Sequence, residues 1–485
     1  MSAENERTRG VAYDSVEQGY FEKRGLRRYA RVWSLWALGV GAVISGDFFG
    51  WNYGLAVGGF GGLFLATIVI TVMYVGLCFS IAEMSPALPH TGGAYSFARS
   101  AMGPWGAYVT GLAENMEYIL TPAVIVVGIG GYLGAIFETP PEYTPLWWLL
   151  AYAIFVGLNM AGVETSFRVT VVVTFLALAI LTVFYVGAIS HLDVERWALD
   201  IEPSEGESPF LPRGAAGIFG ALPFAIWFYL AIEELPLAAE ESYDPKRDMP
   251  RGILLGLLTL VVCAFLTLFL NTGIAPGAAA LGASDEPLFA GFTTIFGTGI
   301  GTKLLALIAV TGLVASFHTI IFAYARQIFS LSRAGYFPRW LSITHAGRQS
   351  PHVALVVGAV LGYGVALLLH FLGPDSPVGA MLLNMAVFGA VISYGLQMTS
   401  FILLRVRFPN LERPYRSPFG VAGAAVALLI AAVTLGALFV VDAGYRLAAL
   451  GALIWYVLGL VYFAAYARRR LVRSPEEEFA ERHLR

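Results

Sequence analysis

Charge is what this sequence has least of. Asp, Glu, Lys and Arg make up 13% of its 485 residues and hydrophobic residues 57%. Soluble domains carry about 25% charged residues, so a water-soluble domain of ordinary composition is excluded. Cysteine is nearly absent. Cys78 and Cys263 are the two in the chain, and both lie inside apolar runs. They read as small buried hydrophobes, and neither a disulfide framework nor a metal site is expected. Short alternating apolar–polar segments are also missing, which excludes a β-barrel. The first thirty residues are polar and charged, and the apolar run after them is too long and too interrupted for a signal-peptide core. No cleavable signal is expected. A net charge of −3 is uninformative in such a chain, and no nucleic-acid partner is expected.

What the sequence does have is apolar stretches of bilayer-crossing length. Twelve spans are expected, over residues 32–57, 60–83, 104–137, 145–162, 166–190, 214–237, 251–274, 292–332, 352–372, 378–404, 419–441 and 446–467. The eighth carries a polar extension beyond Phe329. The fold class is therefore an all-α membrane protein, with the lipid bilayer as its surroundings. Basic residues alternate with the spans. Arg24, Arg27, Arg28 and Arg31 precede span 1, Lys246 and Arg247 follow span 6, Arg333 and Arg339 follow span 8, Arg405 and Arg407 follow span 10, and Arg468, Arg469 and Arg470 follow span 12. The loop 138–144 has no Lys or Arg, and 191–213 is mainly acidic. The positive-inside rule then puts both termini in the cytoplasm. The tails read as solvated or interfacial, with no assigned chemistry.

Asp47 stands where a spanning segment should be most apolar, in VWSLWALGVGAVISGDFFGWNYGLAV (32–57). An acid at helix centre costs roughly 2.5–3.5 kcal/mol on insertion scales. Gly39, Gly41, Gly46 and Gly50 let the helix unwind there, and a broken helix frees backbone groups that can hold a polar solute. Span 6 repeats the peculiarity: Pro223 and Pro236 interrupt it, and Glu233 and Glu234 stand in its second half. Two interrupted helices five spans apart suggest two five-helix units of inverted topology, with spans 11 and 12 appended. The expected division is an N-terminal tail (1–31), a first repeat (32–190), an extracytoplasmic loop (191–213), a second repeat (214–404), helices 11 and 12 (405–467) and a C-terminal tail (468–485).

Three segments carry a family resemblance: IAEMSPALPHTGGAYSFAR (81–99), AEESYDPKRDMPRGI (239–253) and ARQIFSLSRAGYFPRWL (325–341). They resemble, in order and spacing, the stretches after spans 2, 6 and 8 of the amino acid–polyamine–organocation transporters, the first as the loop between spans 2 and 3. The resemblance covers about residues 30–470 and implies that family's five-plus-five inverted-repeat fold, with helices 1 and 6 broken. Within the family, SGDFFGWNYGLAVGGFGG (45–62) and GLAENMEYILTPAV (111–124) are similar to the ethanolamine permeases.

In the family, a Gly-small-Gly break in span 1 holds a substrate carboxylate on bare amides. Here the triplet is Ser45-Gly46-Asp47, and a fixed carboxylate there repels an acid and attracts a cation. Asp47 has a second role open to it, capping the half-helix that follows. In span 3 the resemblance puts the substrate-facing position near Thr121-Pro122, with Tyr118 one turn earlier. Glu114 and Glu117 share a face of that helix. Trp227, Phe228, Tyr229 and Ala231 line the span 6 break, with Trp227 matching the family's aromatic gate; such a face suits an ammonium. Glu233 matches an acid common in that break, and Glu234 is an addition to the pattern. His318 in span 8 is a further substrate contact or titrating group, or a satisfied internal histidine. The Lys that many members use for proton coupling falls at Ala177 here. The coupling candidates are therefore Glu117, Glu233, Glu234 and His318.

The resulting expectation is a secondary transporter that imports a small cationic amine, ethanolamine first. The alternative is an amino-acid or polyamine permease of the same fold. No cofactor, bound metal or catalytic residue is expected. The coupling ion is H+ or Na+, and the oligomeric state is open. An intramembrane protease is disfavoured: Asp47 lacks the Gly-x-Gly-Asp context because position 44 is Ile, and the Tyr243-Asp244 pair follows it in the chain where it should precede. No HExxH or nucleophile-elbow pattern occurs either.

Overall fold

Lipid offers a backbone no hydrogen-bond partners, so an apolar chain that crosses it must pair its own N–H and C=O groups as helix. The computed structural model describes residues 7–8, 10–284, 286–373, 377–440 and 443–483. Residues 1–6, 9, 484 and 485 at the ends of the expected tails, and position 441 at the end of expected span 11, lie outside the described residues. Eleven helices among the described residues are long and apolar enough to cross a bilayer, and a shorter apolar stretch, Val32–Asp47, precedes them.

Span 1 is helical over Val32–Val43, tightens to a 3-10 turn over Ile44–Asp47, and resumes at Tyr53. The helix Tyr53–Ala87 holds one residue of non-helical backbone, Gly59 at φ 69°, where span 1 turns into span 2. Only a residue without Cβ takes that conformation cheaply. Gly103, at φ 83°, divides Gly93–Phe137 in the same way and marks the start of span 3. The segment 81–99 is thus mostly helical, and only residues 88–92 are irregular. Spans 4 and 5 are Thr144–Met160 and Val163–Ile189. Span 6 comprises Gly214–Ala225 and the 3-10 turns Ile226–Phe228 and Ile232–Glu241, and span 7 is Pro245–Thr272. Span 8 runs over Ile300–Arg333 and does not begin at residue 292; Pro287–Phe296 is a separate short helix ended by Gly297 at φ 73°. Spans 9 to 12 are His352–Leu372, Pro377–Arg407, Gly420–Val440 and Ala443–Ala465.

Outward side chains show what surrounds this bundle. Val186 and Leu458 are each 66% exposed and Leu258 62%, all within spanning helices. Such surface is stable only against lipid. The polar connections gather on two opposite faces. On one, Ala279 N donates to Asp200 Oδ1 at 2.9 Å, and Asp193 N to Gly273 O at 2.8 Å, joining the 5–6 and 7–8 connections. On the other, Tyr29 N donates to Glu241 O at 2.7 Å and Thr344 N to Lys23 O at 3.1 Å, joining the N-terminal tail to the 6–7 and 8–9 connections. The basic residues are concentrated on this second, tail-bearing face.

The tails are not solvated strands hanging from the bundle. A short hairpin pairs Arg7–Thr8 with Val11–Ala12, and Tyr13, Leu471 and Glu477 are buried. Buried arginines answer buried acids along this face. Arg326, fully buried, grips Glu241 through two hydrogen bonds of 3.1 and 2.9 Å, tying span 8 to the end of span 6. Glu83 at the end of span 2 pairs with Arg405 at 2.5 Å and Arg413 at 2.9 Å. Removing one partner of a buried pair leaves a bare charge, whereas removing both is far milder. Arg326→Met should therefore destabilise the protein by about 3–5 kcal/mol. The double substitution with Glu241→Met should recover most of that loss. Thermal unfolding in detergent checks this, and equal losses in the single and double variants would refute it.

Candidate functional site

The two interruptions meet. A Cβ built on Gly46 would lie 1.8 Å from the Trp227 carbonyl oxygen, so the span 1 break touches the span 6 break backbone to backbone. Gly50, at φ 95°, lets the chain pass the Trp227 ring, which a Cβ there would meet at 2.9 Å. Trp227 also packs on Phe49 (ring centroids 5.9 Å apart), Phe228 stacks on Trp51 at 5.4 Å, and the Tyr229 hydroxyl bonds Thr71 at 2.6 Å. All three aromatics therefore face the span 1–span 2 side. The span 6 break turns at Ala231, whose φ of 82° is unusual for a residue with a Cβ. Strain of this kind is stored at about 1–3 kcal/mol and gathers at functional sites. After it the chain continues as ten residues of 3-10 helix, interrupted by Pro236; such runs seldom exceed three or four residues.

Ser316 of span 8 holds the span 1 break. Its hydroxyl donates to Gly41 O at 2.8 Å and accepts from Ser45 N at 2.9 Å. Two backbone groups at the break, one acceptor and one donor, are thus satisfied by this one side chain. Asp47 lies beside it, fully buried, with Oδ1 accepting from the Thr267 hydroxyl at 2.9 Å and Oδ2 without a partner. Thr267 is linked in turn to the Tyr185 hydroxyl at 2.7 Å. The half-helix after the break has no side-chain cap, so Asp47 points toward spans 5 and 7 and does not cap it. Asn271, one turn after Thr267, is buried with both amide atoms unpartnered.

A second acidic group lies between spans 3, 6, 8 and 10. Glu114 accepts from Gln327 Nε2 at 2.7 Å. Glu117, Glu233 and Glu234 are all buried; the carboxyls of Glu117 and Glu233 face each other, with Tyr394 beside Glu233, and no basic side chain among the described residues reaches them. Glu117 lies within electrostatic reach of Glu233, Glu114 and Glu234. Span 10 presses close: a Cβ on Gly389 would meet Glu117 N at 3.0 Å. Tyrosines border the group. The Tyr74 hydroxyl donates to that of Tyr394 at 2.9 Å, and the Tyr118 hydroxyl is buried and unpartnered. Thr121 turns its hydroxyl onto its own helix, donating to Glu117 O at 2.8 Å.

The expected site residues thus fall into three places. Ser45, Gly46, Asp47 and Trp227 sit at the meeting of the breaks, with Phe228, Tyr229 and Ala231 on the span 6 strand of it. Glu117, Tyr118, Glu233 and Glu234 form the second group, and Thr121 lies one turn along span 3. His318 is elsewhere. It faces spans 4 and 5, where its ring nitrogens lie 3.1 Å from Asn159 Nδ2 and 3.1 Å from Ser166 O. Ser316 and His318, two residues apart, point to nearly opposite sides of one helix. Thr267, Tyr185, Asn271, Tyr74, Tyr394 and Gln327 were not expected at the site. Each is a single polar or tyrosine side chain within an apolar run, a signal that gains meaning only once the helices are placed.

The profile of the family described as amino acid permease matches residues 31–465. The chain belongs to that family. The permease is 27% identical over 452 residues to an uncharacterized transporter of Rhizobium meliloti, covering 91% of this chain and 92% of the relative. It is 24% identical over 465 residues to a branched-chain amino acid permease of Bacillus subtilis, covering 92% and 94%. It is 23% identical, again over 465 residues, to a methylthioribose transporter of the same organism, covering 92% and 95%. The amino acid–polyamine–organocation assignment holds, and the chain is a membrane transporter of small organic solutes, not an enzyme.

In this permease the contact between the breaks leaves no room for a methyl group at Gly46. Gly46→Ala should force the breaks apart, lower the unfolding temperature and abolish solute uptake. Gly131→Ala, whose Cβ would meet nothing within 4 Å, should change neither. A Gly46→Ala protein as stable and active as the parent would show that the two breaks do not pack this way in the membrane.

Proposed function

We propose that this permease imports a small organic cation, ethanolamine first, by alternating access across a bacterial-type inner membrane, with both termini cytoplasmic. One observation carries the reading: among the described residues, the acids at the centre of the bundle have no basic partner. Asp47, Glu114, Glu117, Glu233 and Glu234 are all buried, and what reaches them is hydroxyls, an amide and one another. The buried arginine nearest along span 8, Arg326, is committed to Glu241. Acids in hydrocarbon without a counter-charge attract a cation strongly and repel a second carboxylate. An amine with no acid group suits this field, and an amino acid does not. The aromatic surface of Trp227 beside the break adds cation–π attraction, about 0.5–2 kcal/mol.

Two separate acidic places allow two charges to be carried. Asp47, with Ser45, Gly46 and Trp227 beside it, engages the amine; Phe228, Tyr229, Ala231, Tyr118 and Thr121 complete the lining, and Trp227 closes over the substrate. Glu117, Glu233 and Glu234 carry the coupling ion, a proton in preference to sodium, because facing carboxyls readily share a proton. His318 already has protein partners and is the weakest of the coupling candidates. The two-repeat organisation, 32–190 and 214–404, is the geometry in which paired breaks meet at the midplane, and the arginines of the tail-bearing face favour its cytoplasmic placement.

An amino-acid permease is the second reading, favoured by the branched-chain amino acid permease among the relatives. Proteoliposome uptake of ethanolamine, choline and alanine, under imposed proton or sodium gradients, separates the two. Ethanolamine uptake should be saturable, driven by the proton gradient and insensitive to excess glycine or alanine; strong inhibition by either amino acid would favour the second reading. Asp47→Asn should reduce ethanolamine affinity at least tenfold. Glu233→Gln should lose proton-driven accumulation while ethanolamine counterflow persists. If that variant accumulates ethanolamine normally, the proton is carried elsewhere.

A further inference from the structure

Both ends of the chain fold back onto one face of the bundle and interlock. The C-terminal helix Pro475–His483 inserts two acids. Glu477 is fully buried and accepts from Arg99 Nε at 2.6 Å, the Tyr13 hydroxyl at 2.6 Å and the Tyr336 hydroxyl at 2.8 Å. Arg99 also donates to the Tyr13 hydroxyl at 2.8 Å. Burial, and then the carboxylate of Glu477, push the Tyr13 phenol up, so it stays a donor. Glu476 pairs with Arg333, which makes two further bonds to Glu240 at 2.9 and 2.5 Å. Backbone completes the knot: Leu471 N donates to Ala12 O at 3.1 Å, Asp14 N to Leu471 O at 2.8 Å and Val472 N to Ala334 O at 2.8 Å.

The anchors are the ends of particular helices. Arg99 lies just before span 3, Arg333 ends span 8, and Glu240 is at the end of span 6. These same three spans carry Glu114 and Glu117, Ser316 and Gln327, and Glu233 and Glu234. For solute to leave the site toward this face, the ends of spans 3, 6 and 8 must part; the C-terminal segment ties spans 3 and 8 directly, and Arg333 extends the tie to Glu240 of span 6. We propose that residues 471–483, braced by Tyr13 and Asp14, are a latch that holds the tail-bearing gate shut and must release each time that gate opens. The bonds involved are charge-assisted and buried, which makes the closed gate a discrete state rather than one end of a continuous deformation. The proposal does not depend on which solute is carried.

Hydrogen–deuterium exchange on the full-length permease in nanodiscs tests it. In Glu476→Gln/Glu477→Gln, the amides of residues 237–241 and 326–333 should exchange at least tenfold faster, while spans 11 and 12 keep their protection. Faster exchange confined to residues 471–483, with the ends of spans 6 and 8 unchanged, would overturn the latch. A second variant decides the matter should the first lose its fold. Ala334→Cys/Val472→Cys puts a cysteine on each side of the hydrogen bond from Val472 N to Ala334 O, and thiol titration measures the cross-linked fraction. Oxidation should slow exchange at 237–241 and 326–333, and reduction should restore it. Unaltered exchange in quantitatively cross-linked protein would refute the proposal.

Discussion

A charge inside a bilayer must be answered, and how each buried acid is answered organises this molecule. Near the tail-bearing face the answer is an arginine: Glu83 has Arg405 and Arg413, Glu241 has Arg326, Glu240 and Glu476 share Arg333, and Glu477 has Arg99. Toward the centre, no arginine or lysine among the described residues answers. Asp47 has one hydroxyl donor, Glu114 an amide, and Glu117 and Glu233 chiefly each other. Answered acids fix helices relative to one another, because separating a buried pair exposes two charges at once. Unanswered acids hold nothing in place. Their cost is tolerable only if something outside the chain neutralises them during the working cycle.

The breaks bring those acids into a common region. A continuous helix would seal its own backbone and leave side chains as its only means of contact. Unwinding at residues 44–52 and 226–231 brings backbone against backbone, as the contact between Gly46 and Trp227 shows. The two breaks are built differently. The first relies on glycine, and Ser316 of span 8 takes up groups that the unwinding frees. The second has no glycine at its turn: Ala231 is forced to φ 82°, and the chain beyond it is held in 3-10 form between Ala231 and Glu241. An extended 3-10 run has poorer hydrogen bonds than an α-helix. The second half of span 6 is accordingly a strained segment, and it carries Glu233 and Glu234 at one end and the latch anchor Glu240 at the other.

Much of this was legible in the sequence, because lipid makes composition an unusually direct signal. The spans, the two breaks and the family assignment follow from apolar run length, from Gly and Pro at interrupted positions, and from acids where none belong. Boundaries failed where glycine punctuation was subtle. Gly297 separates a short helix from span 8, and the stretch 81–99 is helix apart from five residues around Pro89. The partition of the site was not legible. Asp47 and Glu233 look alike in sequence, yet one faces Thr267 and the other Glu117, because helix rotation decides facing and no single sequence states it. His318 resembled a site residue for the same reason; its partner Asn159 is 159 positions away. The tails were misjudged most. Their many charges suggested solvation, whereas Glu476 and Glu477 are buried against Arg333 and Arg99 from distant segments.

The division between answered and unanswered acids also bears on how a gate and a site can communicate. Span 6 passes through both regimes within eight residues, from Glu233 facing another acid, Glu117, to Glu240 and Glu241 held by arginines. Span 8 does the same between Ser316, Gln327 and Arg333. Glu233 and Glu240 stand on one short 3-10 segment, so a change of charge at the first alters the balance of forces on the second. The far end of that segment is where the tails are tied. A 3-10 helix rises about 2.0 Å per residue against 1.5 Å for an α-helix, so relaxing part of the strained run shifts Glu240 relative to Arg333. Neutralising the site and loosening the latch are then two ends of one short lever, and no longer path of contacts is needed to join them.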